Sequence, residues 1–86
     1  MTTHDHYTVA IAAGPMHEEK VLRTHDVTTV DDALGLIEGF RDTYNQRNNV
    51  TWQDDEVNAE GKLYGLAPGG DVYVISCTPP LTTDLQ

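Results

Sequence analysis

One stretch of this sequence carries a helical pattern, and that stretch constrains the fold more than any other feature. Its apolar residues recur at spacings of three and four, and they are Val30, Ala33, Leu34, Ile37, Phe40 and Tyr44. Thr28 or Thr29 can act as the N-cap, and Asp31 and Asp32 then lie near the positive end of the helix dipole. The pattern predicts a single helix over residues 30–47.

Strand-like segments lie on both sides of this helix, two before it and three after it. They cover residues 7–13, 20–27, 50–53 (extendable to 57), 62–66 and 71–78. The order is therefore ββαβββ with short connections, which predicts an α+β fold. We expect a two-layer sandwich, in which a mostly antiparallel sheet of 4–5 strands carries the helix on one face. The last segment is the richest in β-branched and aromatic residues, so we expect it at the centre of the sheet.

The length of 86 residues predicts a single small acidic domain over 1–86, with flexible ends at 1–6 and 82–86. Two glycines inside the helix, Gly35 and Gly39, each cost about 1 kcal/mol relative to alanine. Because they are spaced by four, we expect them to allow close packing on the sheet or on a partner. One helix covers one sheet face only, so the other face is expected to be exposed or to meet a partner.

The charge balance restricts the classes of partner. Fourteen Asp and Glu residues oppose five Lys and Arg residues, and the net charge is −9. Contacts with phosphate groups or anionic lipid require cations, so we expect no direct binding to nucleic acid or to membranes. A basic protein surface is the electrostatic complement of such a chain. The alternative is that the acidity serves only solubility.

Cysteine usage and hydropathy bear on the compartment. Cys77 is the only cysteine, so no internal disulfide can form, and its apolar surroundings predict a core position. The apolar segment 7–13 is too short for a signal peptide or a membrane span. These features predict a cytoplasmic protein.

Motifs for catalysis or for zinc binding are not found in the sequence. Residues 65–70 are rich in glycine but lack the lysine and hydroxyl residue of a phosphate-binding loop. Ser76 has no spaced histidine and aspartate that would form a triad with it. The histidines His4, His6, His17 and His25 have no spacing typical of zinc sites. We expect no enzymatic activity, no cofactor and no metal site.

The densest acidic segment of the chain follows the helix. It contains Asp54, Asp55, Glu56 and Glu60. It is not a calcium-binding loop, because the sixth and twelfth positions counted from its start are Ala59 and Gly65. On an extended chain, alternate carboxylates lie about 6.6 Å apart, a spacing that can imitate a row of phosphates. We predict these four residues and Trp52 as partner-binding residues; the alternatives are a solvated acidic turn and a core position for Trp52.

A short, acidic chain without catalytic motifs is similar in profile to small phage-encoded inhibitors, such as anti-CRISPR and anti-restriction proteins. This is an analogy of composition and not of residues. It implies a non-enzymatic protein-binding module, an inhibitor or regulator that docks on a basic nucleic-acid-handling protein or nucleoprotein complex, in one version as a nucleic-acid mimic. The first alternative is a self-associating structural subunit or homodimer that uses the uncovered sheet face and the edge strands. The second is a small metal-binding protein that depends on the histidines.

Overall fold

One helix packs on one face of a five-stranded antiparallel sheet, which confirms the predicted α+β fold. The structure is a computed structural model that describes residues 6–54 and 57–78. The elements are β1 (Tyr7–Gly14), β2 (Lys20–Val27), α1 (Val30–Asn48), β3 (Thr51–Trp52), β4 (Lys62–Leu66) and β5 (Val72–Thr78). The predicted loose ends lie outside the described residues, except for His6, which is exposed.

The strands are ordered β2-β1-β5-β4-β3 across the sheet. β5 is therefore the central strand, which confirms the prediction for the most strand-like segment. β1 and β2 form an antiparallel hairpin, with a β-bulge between Ile11 and Ala12. β3 is shorter than the predicted 50–53, because its regular pairing with β4 ends at Trp52. One further hydrogen bond follows, in which the amide of Gln53 donates to the carbonyl of Tyr64 at 2.9 Å.

The two ends of helix α1 are both capped. The amide of Asp32 donates to Thr29 Oγ1 at 3.1 Å, which identifies Thr29 as the N-cap of the two candidates. At the other end Asn49 adopts the left-handed conformation with φ of 55°, and its amide donates to the carbonyl of Asn45. The side chains that α1 buries against the sheet are Ala33, Ile37, Phe40 and Tyr44.

The core lies between the helix and the inner face of the sheet. Its fully enclosed side chains come from all the longer strands but β2, and include Val9, Ile11, Leu63, Ile75 and Cys77. Tyr73 is also buried, with its ring centroid 5.6 Å from that of Tyr44 and 6.4 Å from that of Trp52. The burial of Cys77 confirms its predicted core position.

The two helical glycines do not pack on the sheet, so that part of their prediction is wrong. Gly35 and Gly39 are exposed, and a Cβ atom at either would meet nothing within 4 Å. Each lies two residues after a buried side chain, Ala33 or Ile37, which is a rotation of about 200° around the helix axis. The glycines therefore face away from the sheet.

Candidate binding face

The sheet face opposite the helix is left open by the described part of the chain. An apolar patch occupies one end of it and consists of Ala12, Val21, Tyr64, Leu66, Val72 and Val74, which adjoin through the strand pairing. Tyr64 is 36% exposed and Leu66 is 52% exposed. Farther along the strands the face becomes polar, where Ser76 pairs with Lys62. Apolar side chains grouped on an exposed sheet face are typical of an interaction surface.

A cleft of about 420 Å³ lies where the β1–β2 loop approaches this patch, and we call it the loop cleft. The loop contributes Met16, His17 and Glu19 to its lining, and the sheet contributes Tyr64, Leu66 and Val72. Met16 is 66% exposed, so the apolar surface of the patch continues onto the loop. The loop and β4 thus form two walls of the cleft, with β5 between them.

The β1–β2 loop is folded tightly against the end of β1. The amide of Glu18 donates to the carbonyl of Pro15 at 2.8 Å, and His17 adopts a left-handed conformation with φ of 69°. Gly14 has φ of 152°, and a Cβ atom there would lie 3.0 Å from the carbonyl oxygen of Glu18. A side chain at that position would therefore force the loop to move.

The loop places one carboxylate oxygen in an unusual environment. Glu19 Oε2 is buried and accepts no hydrogen bond from any described residue. Within the described ranges it is the one buried side-chain oxygen or nitrogen that lacks a partner. A buried carboxylate oxygen without a donor is unfavourable.

A second cleft of about 450 Å³ borders the short edge strand, and we call it the β3 cleft. Its lining includes Asn49, Thr51, Trp52, Pro68 and two residues of the loop cleft, Gln53 and Leu66. Leu66 therefore stands between two adjoining depressions. Exposed apolar side chains beside such depressions are typical anchors of protein interfaces.

Trp52, one of the predicted site residues, is half-buried. Its Nε1 donates to the carbonyl oxygen of Arg41 on the helix at 3.1 Å, and its ring lies over Gly65. Trp52 is thus part of the packing between the helix and the sheet, and it also borders the β3 cleft. Its role in partner binding stays a prediction.

The predicted acidic segment begins beside the two clefts. Asp54 is exposed and directly follows Gln53, which lines both. Glu60 is exposed in a turn that Asn58 organises, since Asn58 Oδ1 accepts from the amides of Glu60 and Lys62 at 3.0 Å each. The other two predicted site residues, Asp55 and Glu56, lie outside the described residues.

Sequence reasoning missed three residues of this face, namely Glu19, Tyr64 and Leu66. For the two residues of β4 a signal was present, because Leu63 and Gly65 are buried while Tyr64 and Leu66 alternate with them and point outward. Nothing in the sequence near Glu19 indicates that one of its carboxylate oxygens is buried.

The three histidines that the structure describes, His6, His17 and His25, are not part of any metal-binding group. His17 lines the loop cleft, His25 lies on β2 with its ring centroid 6.1 Å from that of Phe40, and His4 is outside the described residues. Over residues 6–54 and 57–78, no three His, Cys, Asp or Glu side chains come close enough to hold one ion. No described segment forms a helix with the length and apolar character needed to cross a bilayer.

Comparison of the chain with protein-family models, curated proteins and solved structures found no significant match. Inferences about function therefore rest on the surfaces of the chain itself.

Proposed function

We propose that this chain is a non-enzymatic protein-binding module that docks on a basic protein through the open sheet face. The observation that carries this proposal is the pair of exposed anchors, Tyr64 and Leu66, beside two adjoining clefts. Acidic groups border them, Glu19 in the loop cleft and Asp54 just beyond Gln53. An apolar centre with charges around it is the usual anatomy of a protein interface.

The charge of the chain supports a basic partner. The net charge of −9 favours fast, salt-sensitive association with a positively charged surface. The exposed side of the helix carries Asp31, Glu38 and Asp42, which attract such a partner at a distance even when they lie outside the contact. Within this class we favour a nucleic-acid-handling protein or nucleoprotein complex, whose binding groove this chain would block. Such a chain would act as an inhibitor or regulator.

The proposal can be tested by affinity capture from lysate, with the tagged chain at low and high salt. The captured protein is identified by mass spectrometry, and its affinity is then measured for two matched variants. Leu66→Ser alters the open face, and Leu34→Ser alters a leucine that is 42% exposed on the helix. We expect Leu66→Ser to weaken binding by about tenfold or more and Leu34→Ser to leave it unchanged. Equal affinities for both variants, or no basic protein captured at either salt concentration, would contradict the proposal.

The acidic segment needs a separate comparison. Charge reversal by Asp54→Lys should weaken binding and reduce its salt dependence, because Asp54 is exposed and directly follows Gln53, which lines both clefts. Asp42→Lys changes the net charge by the same amount on the helix and is the matched control. If both reversals weaken binding equally, Asp54 contributes only to the overall charge.

Self-association is the second candidate, and the edge strand β2 is the observation that favours it. Val21 is 66% exposed and Leu22 is 48% exposed on this edge. Its bulge and its charges at Lys20, Arg23 and Asp26 act against simple strand pairing. Sedimentation velocity separates the two candidates, because a monomer at working concentration removes self-association. A dimer that Leu22→Ser dissociates would support it.

A further inference from the structure

The open sheet face is lowest along its two central strands, β1 and β5. The side chains that these strands direct to the open face are short, and they adjoin because Ala10 pairs with Ser76 and Ala12 pairs with Val74. All four residues are only partly exposed. They form the floor of a trough that runs along β1 and β5, and we call it the open trough.

More exposed side chains stand on both sides of this floor. On β4, Tyr64 pairs with Val74 and is 36% exposed, and Leu66 is 52% exposed. On β2, Val21 pairs with Ala12 and is 66% exposed. The strands β2 and β4 are three strand spacings apart, which is about 14 Å. A helix with its side chains is about 10–12 Å across, so the open trough has the width of one helix.

We propose that the open trough receives an amphipathic helix of the protein partner, with apolar residues on the side that meets the sheet and lysine or arginine residues on its other sides. This inference rests on the proposed function and specifies which structural element of the partner docks. Helix α1 packs on β1 and β5 from the opposite side of the sheet. A helix in the open trough would complete three layers around the same two strands.

The length of the open trough also fits a short helix. Val72, Val74 and Ser76 follow one another on the open face of β5, and the first and the last are about 13 Å apart. Residues at positions i, i+4 and i+7 of a helix span about 10 Å, and such residues are the usual anchors of a helix in a groove. A helix of about three turns can therefore contact the whole floor.

The charge of the chain selects a basic helix. Asp26 lies on the open face of β2, where its Oδ1 accepts a hydrogen bond from Thr8 Oγ1 at 2.7 Å. Asp54 is exposed on the other side of the sheet, directly after Gln53, which lines both clefts. Lys62 lies at the polar end of the face, beyond the apolar patch. Carboxylates on both sides of the open trough attract lysine and arginine residues on the flanks of a docked helix.

Other occupants fit less well. A second copy of this chain would bring another net charge of −9 to the face, and the repulsion opposes a face-to-face dimer. An extended segment would have to pair with a sheet edge and would leave the open trough empty. On β4 that edge is already used, because the amide of Gln53 donates to the carbonyl of Tyr64 and the amide of Asn58 donates to the carbonyl of Lys62. The edge of β2 is interrupted by its bulge.

Selection from a random peptide library tests the inference without knowledge of the partner. Displayed peptides of about 16 residues, long enough to form a helix, are selected on the immobilised chain and sequenced. We expect the enriched peptides to carry apolar residues at helical spacing and a net positive charge. A proline in the middle of such a peptide should weaken its binding by about tenfold or more, whereas proline at its first position should not. Recovery of no peptide, enrichment of acidic peptides or of strand-like alternation, or tolerance of the central proline would overturn the inference.

Substitutions in the floor separate a trough from a surface that is merely apolar. Ala12→Leu raises the floor without a change of charge, so it should weaken binding of the selected peptide by about tenfold or more. Ala59→Leu, in the exposed turn before β4, is the matched control and should leave binding unchanged. Thermal midpoints check that the variants fold, and Ala10→Leu repeats the test if Ala12→Leu lowers the midpoint. Equal or tighter binding to the floor variant would overturn the inference, because a merely apolar surface would gain contact area from the leucine.

The outcomes for the inference and for the proposed function are distinguishable. If Leu66→Ser abolishes capture of a basic protein but Ala12→Leu does not, the open face binds a protein and the helix inference is wrong. If selected helical peptides bind in the open trough but no protein partner is captured, the specificity of the trough stands and the proposed function fails.

Discussion

The ring of Trp52 packs directly over Gly65 on strand β4. The ring can lie this close because Gly65 has no side chain. A Cβ atom at this position would lie 2.6 Å from Trp52 Cε3 and 2.6 Å from Val50 Cγ1. We expect Gly65→Ala to lower the free energy of unfolding by about 1–3 kcal/mol, because the indole must shift from its place over β4. Urea denaturation measures this loss. Gly69→Ala is the control, since a Cβ atom there meets nothing within 4 Å.

Two buried residues are expected to lower the free energy of unfolding as the pH becomes alkaline. Burial raises the pKa of the Cys77 thiol, and burial together with the charges of Asp71 and Tyr44 raises the pKa of Tyr73. The folded state therefore keeps both groups protonated at pH values where the unfolded chain ionises them. Stability from this source is complete below about pH 8.5 and is lost as pH rises through the folded pKa values.

We thus expect the free energy of unfolding in urea to fall progressively above about pH 8.5. The double variant Cys77→Ala with Tyr73→Phe should show a flatter profile, although its stability at neutral pH is lower. An equally steep decline in this variant would assign the effect to other groups. The buried thiol should also resist labelling by a disulfide reagent until the chain unfolds.

Two substitutions on the exposed side of the helix are expected to stabilise the protein. Because Gly35 and Gly39 are exposed and have free space around them, alanine at each should raise the free energy of unfolding by about 0.8–1 kcal/mol. Thermal or urea denaturation checks the gain. Partner capture by the double variant tests the remaining part of the glycine prediction. Loss of capture would place the partner on the helix, and intact capture agrees with docking on the sheet.

The N-cap gives a sharper test of the same element. Thr29→Ala should cost about 1 kcal/mol, because the amide of Asp32 loses its acceptor. Thr28→Ala removes the neighbouring hydroxyl group and should have little effect on the free energy of unfolding. Equal losses for the two variants would show that the cap hydrogen bond contributes nothing specific.

The ends of the helix and strands could be predicted well where nearby residues determine them. Thr29, the apolar spacing and Asn49 delimit the helix, and Gly14 ends β1 one residue beyond its predicted limit. β3 was predicted too long, since its end depends on pairing with β4 and not on its own residues. The glycines were placed wrongly because a spacing of four shows that two residues share a side and does not show which side faces the sheet.

At the scale of the whole molecule, the charge has two opposite effects. Like charges repel within the folded chain, so raising NaCl from about 10 to about 200 mM should raise the thermal midpoint. The same salt should weaken capture of a basic partner, because it screens attraction between the two proteins. A Glu38→Gln and Asp42→Asn double variant should respond less to salt in its midpoint. A midpoint that falls with salt in the unmodified chain would contradict this account.

The candidate site could be predicted only in part. Asp54 and Trp52 stand out in the sequence by composition and residue type. In the structure Trp52 lines the β3 cleft, and Asp54 is the exposed residue after Gln53, which lines both clefts. The loop cleft brings Glu19 of the β1–β2 loop together with residues of β4 and β5, and no local sequence pattern predicts that arrangement. Contacts between segments so far apart in the chain can be predicted only when the strand order is known.

The hydrogen bond from Trp52 Nε1 to the Arg41 carbonyl also gives this protein a natural optical probe. Trp52 is the only tryptophan, and its indole connects the sheet to the helix while one part borders the β3 cleft. Its fluorescence wavelength therefore reports whether the helix is docked, and its intensity responds to an occupant of the cleft. Folding and binding can be followed in one cuvette through the same ring, without an added dye.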